Sequence, residues 1–209
     1  LVKYFSETER TTTLISTRKE DHTCLINNKL KNTITKSLDY SSKEKIIEMM
    51  NGIDTIIYLV GPDAHSGNQN QKSNYNYIDL INNFSSAANI TSVRKIIYFS
   101  TIHVYGHNLK GVVTEKTLPL PMHFFAKTHL EVEKALLESA SNFHVSIIRC
   151  SNSFGIPFYQ NEKSWLLVIN DFCKSAIRDN VIIIKSSGNQ YKNFIAMDDV
   201  SKGTDSVMK

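Results

Sequence analysis

Short apolar runs alternate with amphipathic stretches along the chain, and this alternation is typical of an α/β protein. Apolar runs of the kind found in buried parallel strands occupy residues 54–60, 94–100 and 143–149, with shorter β-rich runs at 12–16 and 181–184. Helical patterns occupy residues 1–9, 43–50, 76–88, 125–137 and 163–175. Because strands and helices alternate without an internal repeat, we expect an α/β doubly wound parallel sheet.

Composition and charge exclude several classes of protein. The chain has 209 residues, 41% of them apolar, which fits one globular domain and no fibrous or disordered chain. Its formal net charge of +4 is spread without runs of like charge, so neither a nucleic-acid partner nor an anionic membrane surface is predicted. No apolar stretch approaches the roughly 18 residues of a membrane span, and no signal peptide is recognised. Cys24, Cys150 and Cys173 show no Cys-x-x-Cys spacing, which favours reduced thiols in the cytoplasm and argues against a zinc site.

The candidate chemistry lies between residues 94 and 137. An apolar strand ends at Ser100, Thr101-Ile-His-Val-Tyr-Gly106 follows, and a loop containing prolines leads to the next helix. This stretch resembles the active-site half of the short-chain dehydrogenase/reductase superfamily, in the extended branch of sugar-nucleotide epimerases and dehydratases. Members of that branch end a strand in Ser-Ser/Thr-x-x-Val-Tyr-Gly. The resemblance implies a Rossmann-like fold, and it places Thr101 at the catalytic Ser or Thr position, Ser100 among the cofactor-binding residues and His103 among the substrate-binding residues.

The Tyr-x-x-x-Lys pair of that family is replaced in this chain. Aligning Phe125-Ala-Lys-Thr-His129-Leu-Glu-Val-Glu133 with the family's Tyr-Ala-x-Ser-Lys-Leu-x-x-Glu puts Phe125 at the tyrosine and His129 at the lysine. The other register keeps Lys127 as the lysine and puts His123 at the tyrosine, but it loses the flanking matches. In the family the tyrosine transfers a proton at the substrate hydroxyl, with its pKa lowered by the lysine. A phenyl ring has no proton to transfer, so Phe125 is not the acid or base.

Two interpretations of His129 remain open. It could titrate at an apparent pKa of about 6 to 7, act as a reassigned general base and contact a cofactor ribose. Alternatively, positions 125, 129, 132 and 136 form one helical stripe, which is typical of a face packed against the core. His123 is the alternative proton carrier.

The resemblance covers nearly all of the chain and supplies further cofactor-binding candidates. Arg18 stands where members that prefer NAD carry an acidic residue, so the cofactor is NAD or NADP with a slight preference for NADP. Asp39, followed by Tyr40, is expected at the adenine amino group, or else caps the next helix. The end of the strand that passes under the cofactor supplies Leu59, Val60 and Gly61.

Arg149 and residues 150–157, Cys-Ser-Asn-Ser-Phe-Gly-Ile-Pro, resemble the family's Arg-x-x-Asn-x-Tyr-Gly-Pro motif. The match places Asn152 near the sugar-nucleotide substrate, while Phe154 replaces the tyrosine. We therefore expect an NAD(P)-binding domain over residues 1–150, with its first strand and glycine turn missing, and the start of a smaller substrate-binding region over residues 151–209. His103 and His107 are separated by a Tyr-Gly break, which argues against a metal-binding pair.

The resemblance implies an NAD(P)-dependent epimerase, dehydratase or reductase that acts on a nucleotide-activated sugar. It also implies a cytoplasmic location, and a homodimer is a further expectation. The alternative is a relative that kept the fold for cofactor binding or scaffolding after losing the tyrosine, because a fold does not fix a function.

Overall fold

A computed structural model describes residues 1–10, 12–16, 30–37, 42–62, 76–107, 111–157, 162–184 and 186–209. Two compact units are present: one comprises Leu1–Ser37 and Ser151–Ser206, and the other comprises Leu38–Cys150 and Val207–Lys209. The predicted division into a cofactor domain and a substrate region concerns ligand binding, and it stays a prediction.

Helices and strands alternate along the described residues. In chain order the elements are α1 (Val2–Ser6), β1 (Thr12–Ser16), β2 (Thr33–Ser37), α2 (Lys43–Met50), β3 (Thr55–Tyr58), α3 (Tyr77–Ala88), β4 (Lys95–Thr101), a 3₁₀ helix (Ile102–Tyr105), α4 (Phe124–Ser139), β5 (His144–Cys150), β6 (Asn152–Phe154), a second 3₁₀ helix (Glu162–Leu166), α5 (Val168–Asp179), β7 (Phe194–Ala196) and α6 (Met197–Met208). None of the described helices is both long enough and apolar enough to cross a membrane.

The unit built around residues 38–150 contains a parallel sheet in the order β3-β4-β5. Ile96, Ile97 and Tyr98 in the middle of β4, the central strand, are fully buried. Helices α3 and α4 contact each other, and their apolar sides supply further core residues, among them Ile81 and Leu136. The predicted parallel α/β architecture is confirmed.

Side-chain caps set where two of these helices begin. Ser42 accepts a hydrogen bond from the amide of Lys45 at 3.2 Å and starts α2. Asn76 accepts from the amides of Ile78 and Asp79 at 3.1 and 3.4 Å and starts α3. Both residues satisfy backbone donors that a helix N-terminus leaves unpaired.

The other unit contains two parallel strand pairs, β1 with β2 and β6 with β7. The core residues of this unit include Phe5, Val200 and Thr204. The buried amide side chain of Asn170 accepts from the backbone N–H of Gly155 at 3.2 Å and donates to the carbonyl of Ser164 at 2.9 Å. These bonds tie the first turn of α5 to the chain on either side of residues 158–161.

Three predictions from the apolar pattern need correction. Residues 181–184 form no strand, since no described strand lies alongside them to supply a ladder of hydrogen bonds. The helix predicted over residues 163–175 is a 3₁₀ turn followed by α5, which begins only after Leu167 in extended conformation. The run 143–149 was expected to be buried on both faces, but β5 is partly exposed because it is the edge strand of the described sheet.

Asn89, just after α3, provides a test of this packing. Its side chain donates to the carbonyl of Ser139 at 2.9 Å and accepts from the amides of Ser141 and Asn142, both at 3.0 Å, so it joins the end of α3 to the turn between α4 and β5. We expect Asn89→Ala to lower the free energy of unfolding by about 2 kcal/mol, because three hydrogen bonds are lost. Urea-induced unfolding followed by circular dichroism measures this. Asn83→Ala, at an exposed position of the same helix, is the matched control and should change stability by less than about 0.5 kcal/mol; equal losses would contradict the assignment.

Candidate functional site

The candidate site lies at the carboxyl ends of β3 and β4. These strands are parallel, so Gly61, which follows β3, and Thr101, which ends β4, lie at the same edge of the sheet. In open α/β sheets this edge is where ligands bind. Thr101 is buried, and its Oγ1 accepts from the amide of His103 at 3.3 Å and starts the 3₁₀ helix.

The turn after this 3₁₀ helix requires a glycine at position 106. Gly106 has φ of +85°, and a Cβ atom at this position would lie 2.7 Å from the carbonyl oxygen of Leu120. Both the left-handed conformation and this close approach exclude a side chain. The turn therefore holds the 3₁₀ helix against the segment that leads into α4.

The N-terminal half of α4 faces this edge of the sheet. The rings of Phe125 and His129, one turn apart, lie 4.7 Å from each other in an edge-to-face arrangement. His129, Val132 and Leu136 are buried, which confirms the predicted core-facing stripe at those three positions, whereas Phe125 is partly exposed.

His129 is held between a strand and a glycine. Its Nδ1 lies 2.6 Å from the hydroxyl oxygen of Tyr98, which is on β4. On the other side of the ring, a Cβ atom on Gly61 would lie 2.9 Å from Cε1 and 3.3 Å from Nε2 of His129. Because Gly61 has no side chain, the imidazole can lie against the backbone that follows β3.

Burial keeps both members of this pair neutral. Burial lowers the pKa of His129 to about 4, and the nearby carboxylate of Glu133 opposes that shift without cancelling it. Burial also raises the pKa of Tyr98 well above its usual range, with Glu133 adding to the effect. Of the two interpretations of His129, burial favours the packed histidine over one that titrates at a pKa of about 6 to 7, since charging a ring that is only 7% exposed is unfavourable.

Behind this pair, a buried carboxylate joins α4 to two strands. Glu133, which is 2% exposed, accepts from the guanidinium of Arg149 on β5, with Nη2 at 2.6 Å and Nε at 3.1 Å. The hydroxyl of Ser100 donates to the same carboxylate. Arg149 also donates to the hydroxyl of Tyr105 at 2.8 Å, and the Tyr105 hydroxyl donates to the carbonyl of Thr114 at 3.1 Å. The hydrogen bond to Glu133, followed by the hydrogen bond to Tyr105, raises the pKa of Arg149, so its guanidinium stays charged.

The remaining histidines lie at the exposed side of the same region. His123, the residue before α4, makes no side-chain cap, and its Nε2 lies 2.6 Å from Nε2 of the exposed His107. The ring of His103 lies 6.2 Å from the ring of Phe125. Among the described residues there is no group of three or more His, Cys, Asp or Glu side chains that could hold a metal ion.

The other predicted site residues are placed differently. Leu59 lies beyond the end of β3 and is 56% exposed, so β3 is shorter than the apolar run. The run was expected to be buried on both faces, but three of the four residues of β3 are only partly buried. Asn152 belongs to the other compact unit, where its side chain donates to the carbonyl of Asn193 at 3.0 Å. Arg18, Asp39 and Tyr40 lie outside the described residues. Their predicted roles, like those of the residues at the sheet edge, stay predictions.

Sequence reasoning missed how Tyr98, Glu133 and Arg149 are used. A signal for Arg149 was present, since it is the single formal charge in an apolar strand run. A buried charge of this kind is expected to be paired. Glu133 gave no such signal, because Glu131 and Lys134 lie close to it in the same helix. No such signal pointed to Tyr98, because a tyrosine in an apolar strand is common in a core.

A family model described as the NAD dependent epimerase/dehydratase family matches residues 1–209. The chain belongs to this family. Curated protein sequences offer no match.

Solved structures of nucleotide-sugar enzymes share the fold of this epimerase/dehydratase chain. One is a tyrosine-to-phenylalanine variant of UDP-glucuronic acid 4-epimerase from Bacillus cereus, in complex with UDP-4-deoxy-4-fluoro-glucuronic acid and NAD. Its sequence is 22% identical to this chain, the TM-score is 0.78, and the match covers 95% of this chain and 65% of that one. UDP-N-acetylglucosamine 4-epimerase from Methanobrevibacter ruminantium M1, in complex with UDP-N-acetylmuramic acid, is 22% identical with a TM-score of 0.76 over 92% and 63%. The dTDP-glucose 4,6-dehydratase DesIV from Streptomyces venezuelae, a double mutant with NAD bound, is 16% identical with a TM-score of 0.75 over 98% and 64%. The chain thus spans under two thirds of the length of each.

The buried ion pair generates a stability prediction. Glu133→Gln should lower the free energy of unfolding by about 3 kcal/mol, because it leaves the guanidinium of Arg149 without its counter-charge. Urea-induced unfolding measures the change. Glu131→Gln, at an exposed position of the same helix, should cost less than about 0.5 kcal/mol. Similar values for the two variants would show that the pair does not stabilise α4.

The lowered pKa of His129 generates a pH prediction. Between pH of about 6.5, where histidine titrates in an unfolded chain, and about 4, where His129 titrates in the fold, the unfolded state binds more protons. The free energy of unfolding should therefore be highest above pH 6.5 and fall by at most about 3 kcal/mol as the pH drops through this window.

His129→Gln removes this titration and keeps a side chain of similar size. Urea unfolding of both proteins at several pH values between 7.5 and 4.5 should show the smaller acid loss in the variant. Parallel curves would mean that the pKa of His129 is the same in the folded and the unfolded chain, which would contradict the effect of burial.

Proposed function

We propose that this chain is the core of an NAD(P)-dependent enzyme of the epimerase, dehydratase or reductase type, acting on a nucleotide-activated sugar. The observation that carries the proposal is the meeting of Thr101, Gly61 and the Phe125–His129 face of α4 at the carboxyl edge of a parallel sheet. The solved neighbours give independent support, since their names record NAD together with UDP- or dTDP-sugar chemistry.

The residues at this edge fit a cofactor and a sugar. Gly61 lets the imidazole of His129 lie against the backbone after β3, and this places a ring nitrogen at the edge of the sheet. NAD(P), when bound, would supply a hydride acceptor and donor. Thr101 would hydrogen-bond a substrate hydroxyl or keto oxygen, and His103 is the proposed substrate contact at this edge. The substrate contact of Asn152, which belongs to the other compact unit, stays a prediction from the family motif. A preference for NADP through Arg18, contacts from Asp39 and Tyr40, a homodimer and a cytoplasmic location remain predictions beside this proposal.

One observation favours a second candidate, a cofactor-binding relative without hydride transfer. Phe125 has no proton to give, and His129, with a pKa of about 4, is a poor acid or base at neutral pH. His123, the other proposed proton carrier, makes a hydrogen bond with His107 at the exposed side of this region. The two candidates share cofactor binding and differ only in turnover.

Fluorescence titration with NADH and NADPH tests what the candidates share, and saturable binding to the chain is expected. No saturation at millimolar cofactor would exclude both and leave the scaffolding alternative. Turnover of UDP- and dTDP-sugars, followed by chromatography of the products, then separates the candidates. An active natural protein supports the enzyme, whereas binding without turnover supports the second candidate.

Introducing the family's tyrosine and lysine at positions 125 and 129 tests whether the missing acid alone explains an inactive site. If the natural site is inactive only because the acid is missing, Phe125→Tyr combined with His129→Lys should produce measurable turnover while the natural protein has none. Phe124→Tyr, combined with the same lysine, is the matched control, because the neighbouring position places its hydroxyl on another face of the helix. Equal turnover in both double variants would show that position 125 is not the proton donor site.

A further inference from the structure

The hydroxyl of Tyr98 has one hydrogen-bond partner among the described residues, Nδ1 of His129 at 2.6 Å. Tyr98 is completely buried at the centre of β4. If Nδ1 were the donor in this bond, the phenolic proton would have no acceptor within the described core, and a buried donor without an acceptor is costly. The hydroxyl of Tyr98 is therefore the donor, and Nδ1 is the acceptor.

This direction of the hydrogen bond fixes the state of the imidazole. A neutral histidine carries its proton on one ring nitrogen, so an accepting Nδ1 requires the proton to be on Nε2. Glu133, one turn further along α4, does not compete for that proton, since it is occupied by Arg149 and Ser100.

Of the two ring nitrogens, Nε2 is the one nearer to Gly61, which follows β3 at the candidate site. It lies 3.3 Å from the point that a side chain on Gly61 would occupy. The described residues offer it no hydrogen-bond partner, although His129 is only 7% exposed. A nearly buried N–H group thus lies beside Gly61, at the same edge of the sheet as Thr101.

We propose that Tyr98 is a positioning residue that holds His129 as the Nε2–H tautomer, so that the position of the family's lysine presents one uncharged hydrogen-bond donor to a hydroxyl or carbonyl oxygen of the cofactor. The part of this inference that concerns the cofactor rests on the proposed function. The part that concerns the tautomer rests only on the contact between Tyr98 and His129. An uncharged donor binds a neutral oxygen without requiring a counter-ion, unlike an ammonium group.

Nitrogen NMR of the ¹⁵N-labelled chain without cofactor tests the tautomer, with His129→Gln used to assign the signals. We expect the chemical shift of an unprotonated nitrogen at Nδ1 and of a protonated nitrogen at Nε2. Tyr98→Phe removes only the hydroxyl and should shift His129 towards a mixture of tautomers. Tyr58→Phe, another buried tyrosine on the adjacent strand, should leave the His129 signals unchanged. A protonated Nδ1 in the natural chain would overturn the proposal, and this measurement does not depend on the folding of any variant. Unchanged His129 signals in Tyr98→Phe would also overturn it.

NADH titration of the same proteins tests the cofactor part. Tyr98→Phe should weaken NADH binding by about threefold to tenfold, the range of one hydrogen bond, whereas Tyr58→Phe should not. Equal affinity in natural and Tyr98→Phe protein would overturn the role of the tautomer in cofactor binding. A tautomer shift in a chain that binds no NADH would overturn the proposed function and still support the control of His129 by Tyr98.

Discussion

The carboxylate of Glu133 is the constraint on which the candidate site depends. A carboxylate that is almost completely buried must be neutralised where it stands, and here Arg149 on β5 and Ser100 on β4 neutralise it from two strands. This fixes the rotation of α4 about its axis, because only one rotation turns Glu133 towards both partners. His129 lies one turn earlier on the same face and is therefore directed at Tyr98 and Gly61. The position of the imidazole is thus a consequence of an ion pair that does not touch it.

Elements whose boundaries are set locally could be predicted from the sequence. Helix α2 was predicted with its observed bounds and α3 to within one residue, because Ser42 and Asn76 mark their starts. Strand β1 was also predicted with its observed bounds. Residues 181–184 were not, because an apolar run becomes a strand only when another strand pairs with it, and pairing is not encoded in the run itself.

At the candidate site, too, only local patterns could be predicted from the sequence. The motif around Thr101 and the stripe through His129 were visible, since both are local patterns. The pKa of His129 was not, because it depends on how deeply α4 packs and on the nearby Glu133. A histidine taken alone favours titration near neutral pH. Its surroundings in the fold turn it into a neutral side chain, so the chemistry suggested by the residue type is not the chemistry of the site.

The exposed run at residues 181–184 has a practical consequence for work on this chain. Four consecutive aliphatic, β-branched side chains, each 48–67% exposed, are the kind of segment that adds to a strand of another molecule and starts aggregation. Self-association through this run would increase with concentration and would resemble dimerisation in sizing experiments. A dimer observed for this chain is therefore informative about its biology only if it persists when charged residues replace two of these isoleucines.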